Sequence, residues 1–159
     1  MSSNSLCLSV RIAVIVVSIC LLTLVAFMLP SIGPELSASF PLYERWRLPW
    51  TVFLWLSSLP CFAVLVFIWK VSEAIKKEEV FTFQVAKWIR ASSYLLFADV
   101  CFFFSGNIIL QLFGLNHPGI IICSMFIDVL GIALALAAAV LSRYVTKAAV
   151  LQEESDATI

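Results

Sequence analysis

Two carboxylates interrupt apolar runs that hold no other charged residue. Asp99 lies within residues 91–115 and Asp128 within residues 120–142. At mid-depth in a bilayer such a group costs about 2.5–3.5 kcal/mol on insertion scales, so each needs a compensating role. Asp99 enters its run from one side of the membrane and Asp128 from the other, each about 12 Å deep at the helical rise. Across a hydrocarbon core of about 30 Å they differ in depth by only about 6 Å. Two carboxylates that meet in low dielectric share a proton or hold a cation. The competing reading is a pair of neutral acids that fix helix packing, and the lack of any Lys, Arg or His in the apolar runs favours it.

Asn107 and Gln111 stand four residues apart, on one face of the run that carries Asp99, with Gly106 beside them. These four side chains, Asp99, Asn107, Gln111 and Asp128, form the candidate intramembrane polar site. For the two amides, packing is the better reading, because amide and small residues commonly join membrane helices. Five cysteines, Cys7, Cys20, Cys61, Cys101 and Cys123, are scattered singly without metal or redox spacing. His117 is the sole histidine and falls in a turn, so no histidine-built metal site is expected. No Ser-His-Asp set, HExxH or glycine-rich phosphate loop occurs. We therefore expect no enzymatic activity, no catalytic residues, no cofactor and no metal.

The elements that must position these residues follow from composition. The chain of 159 residues is 62% hydrophobic and 13% charged. A soluble domain is nearer half apolar and a quarter charged, so lipid must cover this surface. Four runs are long enough to cross a bilayer as helices: residues 12–29, 50–69, 91–115 and 120–142. The expected fold is an all-α membrane protein, a single domain of four transmembrane helices in an antiparallel bundle. The first run is longer than a signal-peptide core and is expected to remain as a span.

Lys and Arg set the orientation. Arg11, Lys70, Lys76, Lys77, Lys87, Arg90, Arg143 and Lys147 fall in the N-terminal segment, the 70–90 loop and the 143–159 tail. Only Arg45 and Arg47 oppose them. Both termini and the middle loop are thus expected in the cytoplasm, with multi-pass residence in the plasma membrane. The formal net charge is zero, so no direct nucleic-acid binding is expected.

Residues 30–49 read as an outer loop, extended and turn-rich at Pro30, Pro34, Pro41 and Pro49, with Phe40, Tyr43, Trp46 and Trp50 suited to the interface. The sequence Asn116-His117-Pro118-Gly119 predicts a tight turn. In the inner loop, Thr82 is the expected cap of a helix that leads into the third span, after a break near residues 78–81. Glu73 and Lys77 have i,i+4 spacing for a surface pair. Pro60 predicts a kink, and Phe102, Phe103 and Phe104 are expected to face lipid in part.

From the second span onward the chain resembles the bacterial membrane-protein family DUF2975. The resemblance rests on residues 56–60 (Leu-Ser-Ser-Leu-Pro), Ile75-Lys76-Lys77, Val80-Phe81-Thr82, Phe104-Ser105-Gly106-Asn107, the 116–119 turn and the 151–159 tail. Family tails end in an acidic residue followed by Asn-Asp-Leu-Thr-Ile. Here Ser155 and Ala157 replace the Asn and the Leu. The resemblance implies the same topology and no known activity. It also implies a partner, since family members often stand beside a helix-turn-helix regulator in genomes.

Two functions follow as expectations. The first is a regulatory or interaction protein that contacts a cytoplasmic helix-turn-helix regulator, with Lys76, Lys77, Phe81, Glu153, Glu154 and Asp156 as partner-contacting candidates. The alternative is a small proton- or cation-coupled transporter that uses the aspartates, which with four spans requires a homo-oligomer. In both, the lipid bilayer is the first partner.

Overall fold

The computed structural model describes residues 3–28, 31 and 44–157. Its helices are α1 (Ser3–Thr23), which runs into a π-helical turn at Leu24–Met28, α2 (Glu44–Lys76), α3 (Phe83–Leu112) and α4 (Pro118–Asp156). All four are long and apolar enough to cross a membrane, and no strand occurs among the described residues. Phe40, Tyr43, Thr158 and Ile159 lie outside the described residues, as do the side chains of Trp46 and Asp156.

α2 and α4 overrun the apolar runs at both ends and α1 and α3 at their starts, whereas α3 stops at Leu112, short of residue 115, because Gly114 turns the chain there. The expected outer loop gives way at Glu44, where α2 begins, and Pro49 lies inside that helix. The reason is positional. Proline fixes a φ that a helix accepts, and Pro49, in the second turn of α2, forfeits a single backbone bond near the helix start. At the other end α2 continues to Lys76, where the turn closes with Glu78 at φ 61°. Thr82 then caps α3 in an extended conformation, its hydroxyl accepting from the Val85 N–H at 3.4 Å. Thr82→Ala is expected to lower stability by about 1 kcal/mol, read as an earlier thermal transition in detergent.

The α3–α4 turn is built from its own polar groups. Gly114, at φ 66°, ends α3 in a conformation that costs other residues strain. His117 caps α4 through Nδ1, which accepts from the Gly119 N–H at 3.1 Å, and Pro118 fits the first helical position. His117 is thus a turn residue, as its neighbours in sequence suggest.

Packing is sequential. α1 lies on α2, α2 on α3, and α3 on α4, with no contact between α1 and α4 among the described residues. The bundle is therefore open along one side. Polar pins set each register. Cys7 of α1 donates to the Ser72 carbonyl (3.3 Å), and Arg11 Nε to the Ser72 hydroxyl (3.0 Å), with the Arg11 guanidinium 5.0 Å from the Trp69 ring. Farther along, Trp55 Nε1 donates to the Val25 carbonyl in the π-helical turn at 3.1 Å. Trp50 Nε1 ties the start of α2 to the Leu115 carbonyl at 2.7 Å. Ser93 and Ser142 bond the backbones of Ala135 and Ala86 across the α3–α4 seam at 2.8 and 2.9 Å. Such bonds are worth about 0.6 kcal/mol each in membrane proteins, so they specify alignment more than they stabilise.

Among the described residues, a compact apolar cluster forms at the end that carries the α2–α3 turn, where Ala74, Val85, Ala86 and Val145 are buried together. Elsewhere large apolar side chains point outward, Phe126, Leu130 and Leu134 of α4 among them. That distribution needs lipid as solvent, since water would leave a continuous apolar patch far above what soluble proteins expose. Glu73, four residues from Lys77, accepts instead from the Trp69 indole N–H at 3.2 Å.

Candidate functional site

The two aspartates come together. Asp99 of α3 and Asp128 of α4 line one cavity of about 290 Å³, which Ser57 and Cys61 of α2 also line. Ser57 and Cys61 are four residues apart and share a face of α2. That face meets Asp99, which accepts from the Ser57 hydroxyl at 2.9 Å through Oδ1 and from the Cys61 thiol at 3.6 Å through Oδ2. Asp99 is thereby held from both oxygens.

Asp128 differs. It is 94% buried, on the residue's 6% exposure, and its Oδ2 has no hydrogen-bond partner. Close approach of its helix is permitted by Gly131, one turn on, where an added Cβ would press into the Val100 side chain. The sequence 128–131 therefore brings a carboxylate and the clearance for a neighbouring helix to the same level of α4. The remaining walls of the cavity are apolar, including Leu96, Phe103 and Leu134.

Asn107 and Gln111 do not join the carboxylates. Asn107 is 1% exposed and forms a separate polar knot with the α3–α4 turn. Asn116 Nδ2 donates to the Asn107 side-chain oxygen at 3.2 Å, Asn107 Nδ2 donates to the Phe103 carbonyl at 2.9 Å, and Asn116 Oδ1 accepts from the His117 N–H at 2.8 Å. Gln111 stands one turn beyond Asn107, with a buried Oε1 lacking a partner. The four-residue cluster expected from sequence is thus two sites: a carboxylate cavity and an amide knot at the turn. Two turns of α3 separate them, about 12 Å along the helix.

The partner-contacting candidates divide similarly. Phe81 and Glu153 line one groove of about 280 Å³ with Thr82, Phe83, Ala149 and Gln152. Lys76 and Lys77 are exposed at the end of α2, outside that groove, and Glu154 is exposed on the tail. The 78–83 turn and the C-terminal extension of α4 therefore build one surface.

Ser57 and Cys61 were invisible as site residues because their role depends on the register of α2 against α3. Their i,i+4 spacing in an apolar helix is the signal that was available. Asn116 reads from the sequence as a turn residue, although its amide reaches back nine positions to Asn107.

The model of the family described as a protein of unknown function, DUF2975, matches residues 31–159. The chain belongs to the DUF2975 family. The match includes α2, α3, α4 and both sites, and leaves α1 outside. No curated protein and no solved structure is similar enough to the chain to carry a comparison.

Proposed function

We propose that this DUF2975 protein is a regulatory interaction partner in the bacterial plasma membrane, controlling a cytoplasmic helix-turn-helix regulator through its inner loop and tail. The observation that carries this reading is the groove shared by the 78–83 turn and the end of α4. Two segments about 70 residues apart in sequence meet there, and the exposed Phe81 stands beside acidic Glu153. An aromatic anchor with a flanking charge is the pattern of a binding hot spot.

Orientation supports the same end as cytoplasmic. Arg11 lies against Ser72, Lys76 and Lys77 end α2, Lys87 begins α3, and Arg143 and Lys147 lie in the part of α4 that reaches the groove. Eight of the ten basic residues gather at this end, as the positive-inside rule requires of the cytoplasmic face. The helices then run antiparallel, with both termini inside.

The test is a cross-linking pull-down from native membranes, comparing the full chain with one that ends at Ala149. The full chain is expected to recover a DNA-binding protein that the shortened chain loses. Phe81→Ala is expected to weaken that capture about tenfold, the effect of removing one interface anchor. Recovery that ignores both changes, or recovery of nothing but copies of the chain, refutes the reading.

A further inference from the structure

We propose that the cavity between α2, α3 and α4 binds an amphiphilic organic ammonium ion, its cationic head between Asp128 and Asp99 and its apolar body along α4. Two observations converge. Asp128 is a 94% buried carboxylate whose Oδ2 lacks a partner and which lines the cavity. An uncompensated buried polar atom of this kind needs an explanation, and a ligand that donates to it is one. Asp99, lining the same cavity, adds a second carboxylate oriented by Ser57 and Cys61.

Size and lining select the chemical class. A volume of about 290 Å³ is near the lower bound of small-molecule sites and far larger than a dehydrated ion needs. Two carboxylates, one hydroxyl and one thiol supply fewer than the six or more oxygens a hard divalent cation takes, and the apolar walls give the waters that would complete its shell nothing to bond. No group of three or more metal-ligating side chains occurs among the described residues. The walls otherwise are hydrocarbon, so an anion or a strongly hydrated solute gains nothing there. An ammonium group with a short alkyl chain satisfies both parts, donating to the carboxylates and covering Phe103 and Leu134. Access is lateral, since Ile127, Leu130 and Leu134 line the cavity and are themselves exposed on the outer surface of α4. A ligand that partitions into lipid reaches such a mouth directly.

This inference is independent of the tail-mediated reading, and its test separates them. The full chain in phosphatidylcholine nanodiscs is titrated by calorimetry with hexylammonium chloride, hexan-1-ol and sodium hexanoate, against empty nanodiscs. Saturable binding of hexylammonium at one per chain is expected, with the alcohol and the carboxylate at least about tenfold weaker. Asp128→Asn, which keeps the shape and removes the charge, is expected to weaken hexylammonium at least about tenfold and leave hexan-1-ol unchanged. The chain ending at Ala149 is expected to bind as the full chain does. Equal binding of the alcohol and the ammonium ion overturns the proposal, as does an unaltered affinity in Asp128→Asn or the absence of saturable heat. The comparison of the three ligands on the unsubstituted chain decides the matter even if the variant fails to fold.

Discussion

Asp128→Leu is expected to stabilise the solubilised protein by about 1–3 kcal/mol, measured by reversible unfolding in mixed micelles. The sign is unusual for a substitution at a 94% buried position, where most changes destabilise. It follows from the orphaned Oδ2: the wild-type side chain bears a desolvation penalty that no hydrogen bond offsets. Leucine removes the penalty, and its extra volume has the adjoining cavity to enter. Asp99→Leu makes the contrast. There the substitution strands the Ser57 hydroxyl and the Cys61 thiol, so its gain is expected to be about 1 kcal/mol smaller. If Asp128→Leu loses stability, Asp128 is a packing residue with a partner in the membrane, and the competing reading of the aspartates wins. A gain in stability together with a loss of ammonium binding marks a residue kept for function at a cost to the fold.

Asp99 and Asp128 fall within about 6 Å of one another in depth from the rise per residue and the positions of the apolar runs alone. Both were legible in the sequence. Thr82 is legible as a cap for a different reason, because capping is local chemistry decided within three residues, and His117 is legible as a turn residue but not as the cap of α4. The helical continuations past the second and fourth apolar runs are legible as well, because Val71, Ala74 and Ile75, and then Tyr144, Ala148 and Leu151, keep apolar residues at helical spacing, and α2 extends to Lys76 and α4 to Asp156. The start of α2 is not. Pro49 misled because proline is a strong breaker only when the bond it forfeits is needed. Register between helices was not legible at all. Which α2 residues face Asp99 depends on long-range pins such as Trp50 to Leu115, and no local pattern encodes these. For the same reason the sequence alone groups Asn107 with Asp99 on its own helix and with Asp128, whereas its side-chain partner, Asn116, lies past the turn.

Gly106 is the position where a single added side chain is expected to do most damage. Gly106→Val is expected to destabilise by about 1–3 kcal/mol, the range for overpacking a filled interface. An added Cβ would press into the edge of the Phe53 ring, nearest Cε2. The ring cannot easily retreat. It stacks on Phe103 at 5.3 Å, lies tilted on Phe102 at 5.4 Å and meets Trp50 edge-on at 5.7 Å. Moving it therefore pushes α2 as a body away from α3. Phe53→Ala opens the space, so in that background Gly106→Val is expected to cost almost nothing, and the double-mutant cycle should show a coupling of about the full single-mutant penalty. A cost for Gly106→Val that is the same with and without the ring would mean that the glycine serves backbone flexibility, and the close approach would not be what fixes the helices. The displacement also has a chemical reach. Phe53 is one turn from Ser57, and Phe103 is a wall of the carboxylate cavity. Separating α2 from α3 at Gly106 withdraws the Ser57 hydroxyl from Asp99 and widens the cavity on that side. Hexylammonium binding should therefore weaken in Gly106→Val and return in the double variant, which links the aromatic packing of this seam to the ligand the carboxylates hold.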